Sequence, residues 1–265
     1  MSNVNPQGNL LDDQKILIEQ LVDLGLMGFA NEIEQQYLAP NLYESLSFDE
    51  RIRSCITAQK DLNSIKKFNT LYKKSRIKNK LYINDFTANP ERGVDNKLLT
   101  SLLNCDYIRN GQNIIISGKT GTGKTALSCA AGVEAMKKGL PVMFYRMSDL
   151  VVNIESKDKI ALTRFRDKLR PIKLLILDDY GLTVYSDMVV SFLNDVAEDR
   201  YNRGSTIFTT QLMQDSILKP LGKSSPTIDA FADRMFRSCD RFITIEGASF
   251  RGSKNEFKGE NDHDW

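Results

Sequence analysis

Residues 113–125 read Asn-Ile-Ile-Ile-Ser-Gly-Lys-Thr-Gly-Thr-Gly-Lys-Thr. The apolar run Asn113–Ser117 that stops at a glycine is the pattern of a short buried strand. Gly118, Lys119, Thr120, Gly121, Thr122, Gly123, Lys124 and Thr125 then fit the phosphate-loop pattern G-x-x-x-x-G-K-[ST]. Such a loop binds a nucleoside triphosphate because its glycines let several backbone N–H groups converge on phosphate oxygens. The helix that follows adds the positive end of its dipole. Lys124 is placed to neutralise the β- and γ-phosphates and the Thr125 hydroxyl to ligate Mg²⁺, so the expected ligands are ATP and Mg²⁺.

Beyond the loop, strand and helix patterns alternate. Ala126–Lys138 reads as a helix closed by Gly139, and Pro141–Arg146 as the next strand. Two short helices (148–156 and 160–169) precede a strand at Ile172–Leu177. A helix over Asp187–Asn202, a strand Thr206–Thr209, helical segments near 213–221 and 227–238, and a last strand Arg241–Glu246 complete the series. This alternation predicts an α/β fold, a parallel sheet with helices on both faces. Leu174-Leu-Ile-Leu-Asp-Asp179 puts two carboxylates at the C-terminal end of an apolar strand, where ligands bind in open α/β sheets. Alone, that pattern is no more than a strand meeting a loop. Beside a phosphate loop it makes Asp178 the metal-binding carboxylate and Asp179 the residue that orients and deprotonates an attacking water.

Because Pro141–Arg146 lies in sequence between the loop and the Asp178 strand, it is also the candidate to lie between them in the sheet. An intervening strand favours an ATPase whose acceptor is water over a kinase for small molecules. Thr210 and Gln211 follow a strand and stand where the γ-phosphate would be sensed, although a strand end with a satisfied threonine reads equally well. Asp233-Arg-Met-Phe-Arg237 closes a helix, where an arginine commonly complements the helix dipole.

Composition excludes other chemistry. The 265 residues are 41% hydrophobic and 26% charged with net charge +2, and no run of 18 or more apolar residues spans a membrane. The opening residues lack the basic start and apolar core of a secretory signal. Four cysteines without CxxC spacing read as reduced thiols. With His263 the only histidine, histidine metal sites, Ser-His-Asp triads and Cys-His dyads are excluded.

Residues 10–85 read as helical, and the region 1–85 is expected to form a helical N-terminal domain ahead of an ATPase domain over 86–250 and a polar tail over 251–265. Ser47-Phe-Asp-Glu50 is a capping box opening a long helix with Ile52, Cys55, Ile56, Leu62 and Ile65 on one face. Charge is segregated. Acidic residues dominate from Leu10 to Leu46, whereas Lys60, Lys66, Lys67, Lys73, Lys74, Arg76, Lys78 and Lys80 face a single Asp61. A second basic set is Lys157, Lys159, Arg164, Arg166, Lys168 and Arg170. Both read as solvated helix faces or as the contact of an electrostatic partner.

Together these stretches resemble the IstB/DnaC-like AAA+ ATPases, and within them the IstB-type insertion-sequence transposition helpers. The resemblance is carried by Leu24-Gly-Leu-Met-Gly-Phe-Ala30, Ser47-Phe-Asp-Glu-Arg51, Arg92-Gly-Val-Asp95, the phosphate loop, Leu174–Gly181, Glu198-Asp-Arg-Tyr201, Ser205–Gln211 and Ala232-Asp-Arg-Met235. It implies an AAA+ core behind a small helical domain in a cytoplasmic bacterial protein. It also implies a homo-oligomer on double-stranded DNA with ATP sites between subunits, and a role in remodelling target DNA and assisting a transposase. The DnaC-like alternative is a replicative helicase loader, which favours single strands and a helicase partner. The resemblance assigns Arg234, with Arg237 second, as the arginine entering a neighbour's ATP site, and Asp179 as the catalytic acid where many AAA+ proteins carry Glu. Thr210 stands where that group often has Asn. Phe86–Asp95 should lie near the base, too few residues follow the last strand for a helical lid, and Arg251 is the only candidate for a lid-type arginine.

Overall fold

The computed structural model describes residues 9–237 and 239–247. The chain divides into two compact units, 1–70 and 71–265, with the division inside one long helix. The first unit holds α1 (Asp12–Asp23), α2 (Met27–Leu38) and most of α3 (Phe48–Ser75). The capping box at the start of α3 forms. The Glu50 N–H donates to Ser47 Oγ at 3.3 Å, and the Ser47 N–H donates to the Glu50 carboxylate at 2.8 Å.

Leu26, at the N-cap of α2, has no side-chain acceptor to offer. Gln59 of α3 supplies one, its Oε1 accepting the N–H groups of Gly28 at 2.8 Å and Phe29 at 3.1 Å. That approach leaves no room for a Cβ at Gly28, which would stand 2.6 Å from the Ala58 carbonyl. Gln36, buried, donates to Arg51 O and Cys55 Sγ. Of the expected apolar face of α3, Cys55 is buried, whereas Ile56 and Ile65 are exposed.

The second unit is built on five parallel strands: β1 (Asn113–Gly118), β2 (Val142–Arg146), β3 (Leu174–Tyr180), β4 (Ser205–Thr210) and β5 (Cys239–Ile245), in the order β2-β3-β4-β1-β5. The helices α4 (Asn96–Asn104) and α5 (Asp106–Arg109) lead into β1. One face of the sheet carries α6 (Lys124–Lys137). A Cβ on Gly132 of that helix would meet Ile176 and Val142 side chains. The other face carries α7 (Met147–Glu155), α8 (Lys159–Leu169), α9 (Asp187–Arg200) and α10 (Pro226–Ala232), whose apolar residues join Ile115, Leu175, Leu177 and Phe208 in one core. Alternation along each strand therefore sends Ile176 to the α6 face and Leu175, Leu177 and Phe208 to the other.

Strand order corrects one expectation. A strand does separate the phosphate-loop strand from the Asp178 strand, but it is β4; β2, the candidate from sequence, pairs with β3 alone at the edge. Sequence order misleads here because α6 carries the chain across two strand positions before it re-enters the sheet. Composition misleads as well, since β4 (Ser-Thr-Ile-Phe-Thr-Thr) is the more polar strand yet every one of its residues is buried. Three of its four hydroxyls find partners: Ser205 donates to Tyr107 O, Thr209 to Asp178 and Thr210 to Tyr180 O, while Thr206 Oγ1 is buried without a hydrogen-bond partner. The helical segments expected over 213–221 and 227–238 are two 3₁₀ turns and α10 followed by a π-turn at Asp233–Arg237.

Glu198-Asp-Arg-Tyr201 closes α9 as a structural clasp. Arg200, 2% exposed, donates to the carbonyls of Leu169, Ile172 and Ser205, joining the end of α8 to the approach to β3 and the start of β4. Burial pulls its guanidinium down to about 10, so it stays charged at neutral pH. Asp199 takes a two-pronged pair from Arg166 at 2.6 and 2.9 Å and a third contact from Arg170. Cys55, Cys105 and Cys129 are buried and unbridged. The tail 251–265, with Arg251 and His263, and the side chains of Arg237 and Cys239 lie outside the described residues. Arg200→Met should lower stability by about 2–4 kcal/mol in thermal or urea unfolding, because three buried carbonyls lose a charged donor. A loss no larger than that of an exposed Arg203→Met control would refute the clasp.

Candidate functional site

The loop between β1 and α6 turns on glycine. A Cβ at Gly118 would run into the Ile245 carbonyl of β5, and Gly123, at the N-cap of α6, has φ 96°. Lys124, almost fully buried, folds its ammonium back over the loop and donates to the carbonyls of Gly118 at 2.8 Å and Lys119 at 2.7 Å. Thr122 donates to Lys119 O at 2.9 Å, closing the turn. These bonds hold the loop in a wrapped form with its helix N-terminus open to a cleft. Thr120, Gly121, Lys124, Thr125, Asp179 and Gln211 line that cleft together with Arg146 from the end of β2.

Opposite the loop stands the pair of carboxylates. Asp178 is fully buried, and its Oδ1 accepts from Thr125 Oγ1 at 2.8 Å and from Thr209 Oγ1 at 2.6 Å. Its Oδ2 is buried with no hydrogen-bond partner, and Arg146 Nε stands 3.8 Å away. A buried carboxylate oxygen left open beside a threonine hydroxyl at the mouth of a phosphate loop is a donor set suited to a hard divalent cation. Burial raises the Asp178 pKa. The Thr209 and Thr125 hydroxyls work against that rise, and the adjacent Asp179 carboxylate adds to it.

Asp179 owes its position to a bulge. Leu177 pairs with Phe208 and Tyr180 with Thr210, so Asp178 and Asp179 together oppose the single residue Thr209. The extra residue takes φ 57°, the left-handed region that aspartate enters at a cost of about 1–2 kcal/mol. Its N–H donates to Thr209 Oγ1 at 3.0 Å. The result is one carboxylate inside the sheet and one facing the cleft.

Thr210 and Gln211, read together from sequence as a candidate γ-phosphate sensor, are placed differently by the structure. Thr209 shares the α6 face with Ile207, while Thr210 shares the opposite face with Phe208. The Thr210 hydroxyl donates to Tyr180 O at 2.7 Å and accepts the Leu212 N–H at 3.1 Å, so the structure brings Gln211 to the cleft and leaves Thr210 in the strand. Thr209 and Arg146 were not singled out from sequence. A threonine in a strand and an arginine at a strand end carry no signal until strand phase and order are known. Arg234 lies on the π-turn beside α9, its guanidinium donating to Asn194 at 3.3 Å and its carbonyl accepting from Asn113. It is not among the residues lining the cleft.

A second cavity of about 420 Å³ meets the cleft at Gly123 and is lined by Phe86, Asn89, Val94, Thr122, Leu127 and Ile245 among others. Gly93, with φ 79°, lets this segment press against the Thr244 carbonyl, and Arg92 and Glu246 exchange backbone and side-chain bonds that tie it to the end of β5. The segment expected near the base thus lines a cavity of mixed polar and apolar walls next to the phosphate loop.

The family profile described as IstB-like ATP binding protein matches residues 19–257. The chain belongs to the IstB-like ATP-binding family. A Pseudomonas fluorescens protein named for ATP binding in insertion sequence IS1162 is 31% identical over 197 residues, 74% of this chain and 85% of that one. The insertion-sequence ATP-binding protein y4pL of Sinorhizobium fredii is 29% identical over 236 residues, 88% and 95% of the two chains. Among solved structures, DnaI superposes with TM-score 0.52 at 18% identity, covering 63% of this chain and 91% of that one. The replication initiator DnaA bound to AMPPCP and single-stranded DNA gives TM-score 0.52 at 22% identity, covering 66% and 52%. The IstB-like chain thus has an AAA+ P-loop fold behind its N-terminal helices and binds ATP. Among the described residues no helix is long and apolar enough to cross a membrane.

The buried charge on Asp178 yields a signed prediction. A carboxyl whose folded pKa is raised destabilises the fold above that pKa, and the cost disappears as pH falls towards the ordinary carboxylate value of about 4. In EDTA and without nucleotide, Asp178→Asn should therefore raise stability by about 1 kcal/mol at pH 8 and have no effect near pH 4. Melting curves across pH check this; a variant less stable than wild type at pH 8 would sink it.

Proposed function

We propose that this IstB-like protein is a Mg²⁺-dependent ATPase that assembles on double-stranded DNA as a homo-oligomer, remodels it and assists a transposase. The observation that carries the hydrolytic part is the split of the two carboxylates, Asp178 buried beside Thr125 and Asp179 turned into the cleft. The family's insertion-sequence setting supports the transposition part. Thr125 Oγ1 and the open Asp178 oxygen are the proposed Mg²⁺ ligands, and the ion would supply charge neutralisation at the phosphates. Gly118 to Gly123 present backbone N–H groups to the phosphates, and Lys124 leaves its two loop carbonyls to meet the β- and γ-oxygens. Asp179 orients the attacking water and accepts its proton. Thr210 supports this arrangement through the backbone of Tyr180, and Gln211 faces the cleft beside Asp179.

Arg234 is the proposed arginine given to a neighbouring subunit's site. Its place beside α9, away from the residues that line its own chain's cleft, supports a role in trans. For DNA, the lysines of α3 are the favoured contact. Lys60, Lys66, Lys67, Lys73 and Lys74 are all exposed. In the second basic set, Arg166 and Arg170 are already paired with Asp195, Asp167 and Asp199. Lysines on a helix with no base-reading motif suit a sequence-independent contact to phosphates.

The deciding measurement is ATPase rate and particle size with and without duplex DNA. Duplex plus ATP should yield large assemblies. Asp179→Asn should accumulate them while hydrolysis falls about 10²-fold or more. Arg234→Ala should lose about 10³-fold in hydrolysis with ATP affinity of the free chain unchanged. Stimulation by single strands or by a replicative helicase, with duplex inert, would replace this reading with a helicase loader. Replacing Lys66, Lys67, Lys73 and Lys74 with Gln should weaken binding equally on unrelated duplexes. It should also reduce the log–log salt slope by about one unit per lysine that touches phosphate. An unchanged slope would remove α3 from the interface.

A further inference from the structure

Asp178 and Asp179 are neighbours in sequence with different tasks, and one buried hydroxyl holds them apart. Thr209 lies in β4, the strand between the phosphate-loop strand and the carboxylate strand, with its side chain on the α6 face and no solvent exposure. Its O–H donates to Asp178 Oδ1 at 2.6 Å, and the same oxygen accepts the Asp179 N–H at 3.0 Å. A bulge leaves its extra residue without a ladder partner. Here Thr209 Oγ1 replaces the missing strand acceptor for Asp179, in a backbone conformation that L residues seldom adopt. The Thr125 hydroxyl meets the same Asp178 oxygen at 2.8 Å, so both hydroxyls converge on Oδ1 while Oδ2 accepts no hydrogen bond and has Arg146 Nε 3.8 Å away.

Resting on the ATPase reading above, we propose that Thr209 is a positioning residue. It turns the open oxygen of Asp178 towards the metal and, through the bulge, holds Asp179 at the cleft. Both consequences need a hydroxyl at this position. A side chain that donates only to Asp178 leaves the Asp179 N–H unpaired and the bulge free to relax into register. An apolar side chain of the same shape keeps the packing of β4 and loses both bonds. The metal's contribution to nucleotide binding and the placement of the catalytic acid therefore depend on one atom, in a strand that contributes no proposed ligand of its own.

Thr209→Val and Thr209→Ser separate this role from packing. Binding of a non-hydrolysable ATP analogue is measured in EDTA and in Mg²⁺, alongside duplex-stimulated hydrolysis and the melting temperature. Thr209→Val should bind the analogue in EDTA as wild type does, lose about tenfold or more of the Mg²⁺-dependent gain in affinity, and hydrolyse ATP about 30-fold or more slowly. Thr209→Ser should stay within about threefold of wild type in both readouts. Thr209→Ala carries the same expectation as Val and replaces it if Val does not fold. The proposal is overturned if Val or Ala keeps the Mg²⁺ gain and the rate while only the melting temperature moves, or if Ser fails to restore them. Wild type that binds the analogue with a Mg²⁺ gain but never hydrolyses ATP would refute the ATPase reading while the metal arm still reports on Thr209. Wild type with no Mg²⁺ gain at all would remove both.

Discussion

A carboxylate sealed into a parallel sheet is costly to keep ionised, and this fold spends two hydroxyls on keeping one there. The bond that Thr125 and Thr209 share on Asp178 Oδ1 joins the first turn of α6, the end of β3 and the end of β4 at one oxygen. Removing the donor from either α6 or β4 leaves the buried charge short of one of its two hydroxyl partners, a loss of about 1–3 kcal/mol. The phosphate loop, the bulge and the polar composition of β4 all follow from holding that oxygen. The loop delivers Thr125 to it, the bulge lets the next residue escape the sheet, and β4 carries hydroxyls where a central strand would otherwise be apolar. Keeping the second oxygen free of hydrogen bonds makes the site a receptor for positive charge, and Arg146 Nε already stands 3.8 Å from it.

Several stretches that select the family turn out to hold the scaffold rather than to touch ligand. Arg200 binds three carbonyls between α8, β3 and β4, and Asp199 anchors Arg166 of α8 and Arg170 just beyond it. Gly93 gives the segment before α4 room to press on β5, and Asp95 caps α4 by accepting the Leu98 N–H. Ser47 and Glu50 start α3. Each solves a local problem of unpaired backbone or close approach, and each places a wall of the cleft or the helix that carries the lysines. The same reasoning divides the two basic sets. Arg166 of α8 and Arg170 just after it are engaged by Asp195, Asp167 and Asp199, while the lysines of α3 remain exposed along one helix.

The sequence by itself determined the phosphate loop, the alternation that builds a parallel sheet, the pair of carboxylates at the end of β3 and the capping box of α3. In each case the physics is local. A glycine pattern, an apolar run or a Ser-x-x-Glu spacing acts within a few residues, and no distant partner can change what it does. Tertiary structure alone decided that β4 and not β2 stands between the loop and Asp178. The path of a crossover depends on where a helix can lie on the finished sheet, and a strand of threonines looks like an edge until its hydroxyls find partners. Tertiary structure also separated Thr209 from Thr210. Two adjacent threonines are equivalent in a string of letters, but a strand sends them to opposite faces, and only the position of α6 and β3 says which of them reaches Asp178.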